Sequence, residues 1–422
     1  MNGFNEDVAL RKNICHERIC KLFTLFIVLY PILNRYITPL PFLTLAEVIL
    51  LVFWMIRLMQ INRDIKLVWS VVPFTVYLFL RAILSYCGID DYDVTDTVGS
   101  TMRVFYLYAS SMFLLPEYFH KDQSLKILKI ISCIVSGYAI LQIIAAKFGG
   151  IILSSYLPFL TPYNDGLIDF QRQINFAVYG LQFRPTSWLN EPAALCIYIL
   201  LPLVILLFKS EKTRSDKICI ALYTLVCIIS LSSTGIMVTV FIYAVYLIYQ
   251  MRKNAFAAVF MSVLAAGLFV VFLNSSLYDY FLNRTFHGDI SNGLSQSTRF
   301  NAIELTWKYS DTLKGIFLGG GVGSESGYLP GIQRIYFCLG LFGLIPFIFL
   351  LTKEFKSAKK IGRMVILLYL VLNIGTEISL GNFALYYMAF FLNLELGEKD
   401  DNQKLFRKSS VGIDNYPQES LE

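Results

Sequence analysis

Charge is scarce in this chain, and so is histidine. Only 16% of its 422 residues are Asp, Glu, Lys or Arg, against 56% hydrophobic, which is too apolar for an ordinary soluble domain. The three histidines, His16, His120 and His287, lie far apart, and no paired His/Cys spacing occurs, so a built-in transition-metal site is not expected. The eight cysteines are scattered and imply no disulfide framework. No small-residue cleavage site closes the first apolar segment, so that segment is expected to remain as a helix. The period-two alternation of a membrane barrel is missing as well. The cluster "GGGVG" at 319–323 lacks the Lys-Ser/Thr of a phosphate loop, and its glycines read as a turn that lets backbone approach closely. No nucleic-acid partner is expected.

What is present is a series of long apolar runs. About 12 of them, each about 16 to 23 residues, have the length that crosses hydrocarbon as a helix. They fall at 22–41, 42–60, 66–86, 99–116, 125–148, 192–208, 216–232, 235–250, 255–273, 332–352, 363–378 and 381–396. The expected fold is an all-α polytopic membrane protein, a single domain over 1–422 with long connections at 149–191 and 274–331 and a tail at 397–422.

The 36 Lys and Arg residues set the expected orientation. Most fall in 1–21, 57–66, 117–129, 209–217, 252–253, 353–363 and the tail; the opposite connections hold only Arg172, Arg184, Arg284, Arg299, Lys308 and Lys314. By the positive-inside rule both termini, and the tail, are cytoplasmic and the two long loops lie outside. Arg35, Arg81, Arg103, Lys147 and Arg334 depart from this trend. All stand within about two turns of the outer end of their segments, a level shared by Glu47 and Glu377. Snorkelling accounts for any one of them, and ion pairing for others, such as Arg35 with Glu47. Together they make a basic region at the outer leaflet, suited to an anionic headgroup such as a lipid-linked phosphate.

Both outer loops read as ordered. The first ends in "FRPTSWLNEPAAL", residues 183–195, in which Pro192 suits the first position of a helix and biases Glu191 toward an extended conformation. That leaves Arg184, Ser187 and Glu191 unexplained at the entrance to the bundle. The loop is rich in aromatic residues, which suit either sugar stacking or packing at the membrane interface. In the second loop, Ser297 or Thr298 caps an expected amphipathic helix that places Phe300, Ile303, Trp307 and Ser310 on one face and ends near Lys314 and Gly315.

"FRPTSWLNEPAAL" opening a helix, "SLSSTG" between two later helices, and "STRFNAIELTWKYSDTLKGIFLGGGVG" followed by "SGYL" together resemble the bacterial O-antigen polymerase (Wzy-type) family, over most of the chain. The resemblance implies a GT-C-like bundle in the bacterial inner membrane. It implies an enzyme that joins oligosaccharide repeat units, carried on undecaprenyl diphosphate as donor and acceptor, at the periplasmic face, into O-antigen, capsule or exopolysaccharide. No cofactor is implied; the partners are these lipid-linked sugars, membrane lipids and a chain-length regulator protein. The family's functional arginines match Arg184 and Arg299. Two departures stand out: Thr234 occupies a position where many members have arginine, and Glu325-Ser326-Gly327-Tyr328 lacks the histidine usual in the related O-antigen ligases. A ligase, and a flippase or other transporter, are the alternatives; a transporter is expected to show unwound helices around a midplane site.

The residue types fit the implied chemistry. A diphosphate leaving group needs cations, and Arg184 and Arg299 are the first candidates. Arg35, Arg81, Arg103, Arg172 and Arg334 form a second set of substrate-binding candidates, with Ser187 and Tyr328. A sugar hydroxyl needs a base during attack, and Glu191 is the preferred one, its alternative role being a helix-start carboxylate; His287 is a weaker alternative. The topology is checked by reporter fusions: Lys212 and Ala358 are expected in the cytoplasm, and Asp165 and Ile290 outside. The reverse pattern removes the basis for the outer-face site.

Overall fold

The structure is a computed structural model. It describes residues 2–40, 43–60, 65–90, 93–162, 183–251, 312–325 and 329–393, with side chains from 15 onward, and the isolated helical residues Phe256, Val259, Gly267, Glu304 and Thr306. These residues form helices α1 (Asn2–Leu33), α2 (Leu45–Met59), α3 (Val72–Tyr86), α4 (Val94–Phe113), α5 (Leu115–Tyr118), α6 (Lys121–Gly149) and α7 (Pro192–Phe208). They continue with α8 (Arg214–Ile229), α9 (Ser233–Met251), α10 (Leu313–Leu318), α11 (Gly331–Ser357), α12 (Lys360–Gly375) and α13 (Ala384–Phe391). Among the described residues there is no β-strand, only isolated bridges between Tyr36 and Pro162 and between Ile37 and Thr44.

Among the described residues three helices, α6, α9 and α11, are long and apolar enough to cross a membrane; α3 and α7 are apolar but shorter. Several expected spans differ in extent. The run at 22–41 is the second half of α1, which stops at Leu33 and hands over to a turn; the run at 381–396 yields only the eight residues of α13. The run at 255–273 lies almost wholly outside the described residues, as does most of the expected amphipathic helix after Ser297. Leu313 opens a separate short helix, where the Thr312 hydroxyl accepts the Gly315 N–H at 3.0 Å.

Local signals set the other boundaries. Thr44 with Glu47, and Thr213 with Asp216, form capping boxes that start α2 and α8. Gly150, at φ +62°, closes α6. The helices carry their polarity inside out. On α6, Ile130, Ile134, Leu141, Ile144 and Phe148 are exposed while Ser124, Ser132, Ser136 and Gln142 are buried. An apolar exterior over small and polar contacts is what a bundle presents to lipid.

At the centre, α7 is buried from Ala194 to Phe208 and α13 along its whole length. Pro202 cannot donate to the carbonyl of Tyr198, one turn back, and that carbonyl accepts the Tyr386 hydroxyl at 3.0 Å instead. Tyr387 donates to the Ile197 carbonyl at 2.7 Å, and the Tyr198 and Tyr386 rings stack 5.0 Å apart.

The second irregularity is in α11. Gly340 sits at φ 63°, ψ −166° and breaks the helix, freeing the carbonyls before it. Those of Phe337 and Cys338 accept the N–H groups of Gly320 and Gly321, at 2.8 and 2.9 Å, and that of Leu339 accepts the Tyr77 hydroxyl at 2.5 Å. The two backbones touch: a Cβ on Gly340 would collide with Phe317 and Leu318, and one on Gly319 with Cys338 and Leu339. The "GGGVG" turn therefore is a close-approach device, as its composition suggests. Gly340→Ala combines a left-handed backbone with a collision and is expected to destabilise by more than the ~1 kcal/mol of the conformational term alone. Thermal unfolding in detergent checks it against Gly137→Ala, which meets nothing within 4 Å and should be neutral or slightly stabilising.

Candidate functional site

The described parts of the first long loop, 149–162 and 183–191, are pinned to the ends of α1 and α6. Arg35 donates to the carbonyls of Ser155 at 3.0 Å and Trp188 at 2.8 Å, and its guanidinium lies 5.1 Å from the centre of the Tyr156 ring. Gln142 accepts the N–H groups of Thr186 and Ser187, at 3.2 and 2.8 Å, and donates to the Ser187 carbonyl at 3.3 Å. Ser187 is fully buried at φ 51°, and its hydroxyl donates to the Val135 carbonyl at 2.9 Å. It is a scaffold residue rather than one open to substrate.

Arg184 lies on the other side of this loop. Its Nε donates to the Ser230 carbonyl at 3.2 Å, so "FRPTSW" and "SLSSTG" meet. The second motif is the tight turn from α8 into α9, with Leu231 at φ 50° and the Ser232 hydroxyl accepting the Gly235 N–H at 3.3 Å. A Cβ on Gly235 would collide with Cys196, so glycine lets α9 approach α7 closely. Glu191 is exposed immediately before α7, in extended conformation with φ −149° and ψ 162°, and Pro192 takes the first helical position as the sequence suggests. The Glu191 side chain makes no capping hydrogen bond, so it is not a side-chain cap.

The arginines read as a basic region are largely matched by acids. Arg81 is completely buried and pairs with Asp90, also completely buried in its side chain. It also donates to Ser85 at 2.7 Å and to the Leu318 carbonyl at 3.1 Å, directly under the glycine turn. A buried pair with those bonds is structural, which corrects the view of Arg81 as a substrate ligand. Arg334 is held between two carboxylates, Glu325 and Glu377, and Cys338 donates to Glu325 at 3.2 Å. That group is net negative, so a phosphate would have to displace a carboxylate from Arg334. Glu47 pairs with Arg103 at 2.7 Å, not with Arg35.

These contacts run on as a circuit around one end of the bundle. Thr44 donates to Glu47 at 3.0 Å and to Asn34 at 2.6 Å; Asn34 bonds Asn382; Gly381 packs on Glu377. Glu325 accepts the Gly323 N–H at 3.0 Å, and Gly323 stands against Ser100, one turn from Arg103. Between α2 and α4 the circuit borders a cleft of about 420 Å³.

Asp90, Glu325 and the Asn34–Asn382 contact were not singled out from the sequence. Asp90 belongs to the acidic link "GIDDYDVTDT", which reads as a surface connection. Only its spacing of nine residues from Arg81, across a helix end, signals a pairing. Arg172, His287, Arg299 and Tyr328 lie outside the described residues. Among the described residues no group of three or more His, Cys, Asp or Glu side chains is arranged to hold a metal ion. No protein-family model matches this sequence, and no curated protein matches it.

Removing one partner of a buried ion pair leaves an uncompensated charge. Asp90→Asn is therefore expected to destabilise by about 3–5 kcal/mol, and the double change Arg81→Met with Asp90→Leu by less than the sum of its parts. Arg103→Gln, at a side chain 51% exposed whose partner Glu47 is 1% exposed, should destabilise by less than Asp90→Asn, because the Thr44 N–H and hydroxyl still bond Glu47. Melting temperatures of the purified variants in detergent check the order.

Proposed function

We propose that this chain is a membrane glycosyltransferase of about 12 spans with a GT-C-like architecture, which polymerises undecaprenyl-diphosphate-linked oligosaccharide units at the periplasmic face. The observation that carries the reading is the docking of Arg184 on the carbonyl of Ser230, the C-cap of α8, in the turn that leads into α9. A guanidinium positioned there supplies the planar N–H donors that a diphosphate takes. Arg299 is the second cation of this proposal, by family resemblance. Glu191, an exposed carboxylate at the mouth of the bundle, is the proposed base.

In the reaction, the acceptor's sugar hydroxyl oxygen attacks the anomeric carbon of the donor glycan as the bond from that carbon to the diphosphate oxygen breaks. The hydroxyl proton passes to Glu191, and the electron pair leaves with the lipid diphosphate, whose growing charge the arginines stabilise. Transfer to a lipid A core would need the same donor seat; the missing ligase histidine and the length of the outer loops favour polymerisation. The break in α11 is the feature that would suit a transporter. Its freed carbonyls, however, are taken up by Gly320, Gly321 and Tyr77 rather than left facing a path for ions.

A deletion strain should keep a single repeat unit on its lipid A core and lose the longer ladder on a gel; loss of the single unit as well would favour ligation. Arg184→Lys keeps charge but not the planar donor pair, and should sharply reduce polymer length or amount. Glu191→Gln should lower the rate by about 10²-fold or more. A normal ladder from well-expressed Glu191→Gln protein would exclude Glu191 as base.

A further inference from the structure

The cleft between α2 and α4 is not explained by a diphosphate seat at Arg184. It is built from two helix starts: Glu47 in the first turn of α2, and Asp96, Gly99 and Arg103 along the first turns of α4. Its volume, about 420 Å³, falls in the range of small-molecule sites. Its ionic side chains are two carboxylates and one guanidinium. This balance is negative, so the cleft disfavours a phosphate.

The same groups suit a neutral polyhydroxyl ligand. Arg103 is held by Glu47, itself 1% exposed and fixed by the N–H of Thr44 at 2.8 Å, so the guanidinium is oriented where it lines the cleft. Asp96 is exposed and presents acceptor oxygens to hydroxyl groups. Leu43, Leu51 and Met102 also line the cleft and supply apolar surface for the C–H face of a sugar ring. Gly99 leaves the middle open: a Cβ there would meet nothing within 4 Å.

The geometry points to this cleft as the seat of the saccharide portion of a lipid-linked substrate, with Asp96 and Arg103 as its hydrogen-bonding residues. The assignment rests on the polymerase reading and adds a second place to it, set apart from Arg184. Arg184 lies where the first loop meets α8 and α9, whereas the cleft is walled by α2 and α4. A transferase that joins two lipid-linked units needs to hold a sugar as well as a diphosphate, and the two sites divide those tasks by charge.

The test uses the full chain in lipid nanodiscs with two separate probes. One is the host's repeat-unit oligosaccharide freed from its lipid diphosphate by mild acid; the other is undecaprenyl phosphate. Gly99→Leu fills the cleft at a helical position with free space, and Asp96→Ala removes an exposed acceptor, so both variants should fold with an unchanged melting temperature. Each is expected to weaken saccharide binding by about tenfold or more while leaving undecaprenyl phosphate binding unchanged. Equal saccharide binding by wild type and both variants overturns the assignment, as does failure of the wild type to bind the saccharide. Parallel loss of undecaprenyl phosphate binding overturns it in favour of a lipid phosphate in the cleft. The polymerase reading is decided separately by the ladder of the deletion strain, so the two failures are distinguishable.

Discussion

A helix broken among other apolar helices leaves carbonyls that must find donors inside the protein, because hydrocarbon offers none and each unmet group costs several kcal/mol. In α11 this demand falls on the residues before Gly340, and the "GGGVG" turn meets most of it. Much of one end of the molecule follows from that union. It fixes the height of the turn, which sets Gly323 against Ser100 on α4 and Glu325 beside Arg334. It also places the carbonyl of Leu318 over Arg81, whose charge is then matched by Asp90. Four elements, α3, α4, α10 and α11, are tied at this end by glycine backbone and two ionic groups, beside aromatic contacts such as Phe74 with Tyr108 and Phe317 with Phe342.

The arginines near helix ends therefore divide by partner. Arg81, Arg103 and Arg334 each face at least one carboxylate. Arg35 and Arg184 donate to backbone carbonyls, of Ser155 and Trp188 and of Ser230 respectively. Sequence position puts Arg35, Arg81, Arg103 and Arg334 at a similar depth and Arg184 in an outer loop.

The fold was legible where the physics is local and strong. Pro192 at a helix start and the glycines at a close approach translate directly into structure. Helix extent was less legible, because hydropathy reports which residues avoid water and not where backbone hydrogen bonding stops; α1 runs back into polar sequence and α13 is short for this reason. Of the candidate site, Arg184 stands beside "SLSSTG" through its bond to Ser230, while the roles of Ser187 and Arg81 did not follow from their positions. Both depend on long-range contacts, Ser187 with Val135 and Arg81 with Leu318, that no local pattern encodes. Glu47 was paired with the wrong arginine, since Arg35 and Arg103 stand at the same level and only the packing of α2 beside α4 selects between them.

The tyrosine that serves the Tyr198 carbonyl sits 188 residues further along the chain. Until α13 is in place, α7 carries an unmet backbone acceptor at Pro202's turn, at the heart of the bundle. Membrane insertion and completion of the core are thus separate events. A ribosome can release α7 into lipid on hydropathy alone, but the Tyr198 carbonyl gains its donor only when Tyr386 arrives. Maturation of this protein is thereby coupled to synthesis of its late segments, and a chain halted before them would present cellular quality control with an exposed polar seam on its most apolar helix.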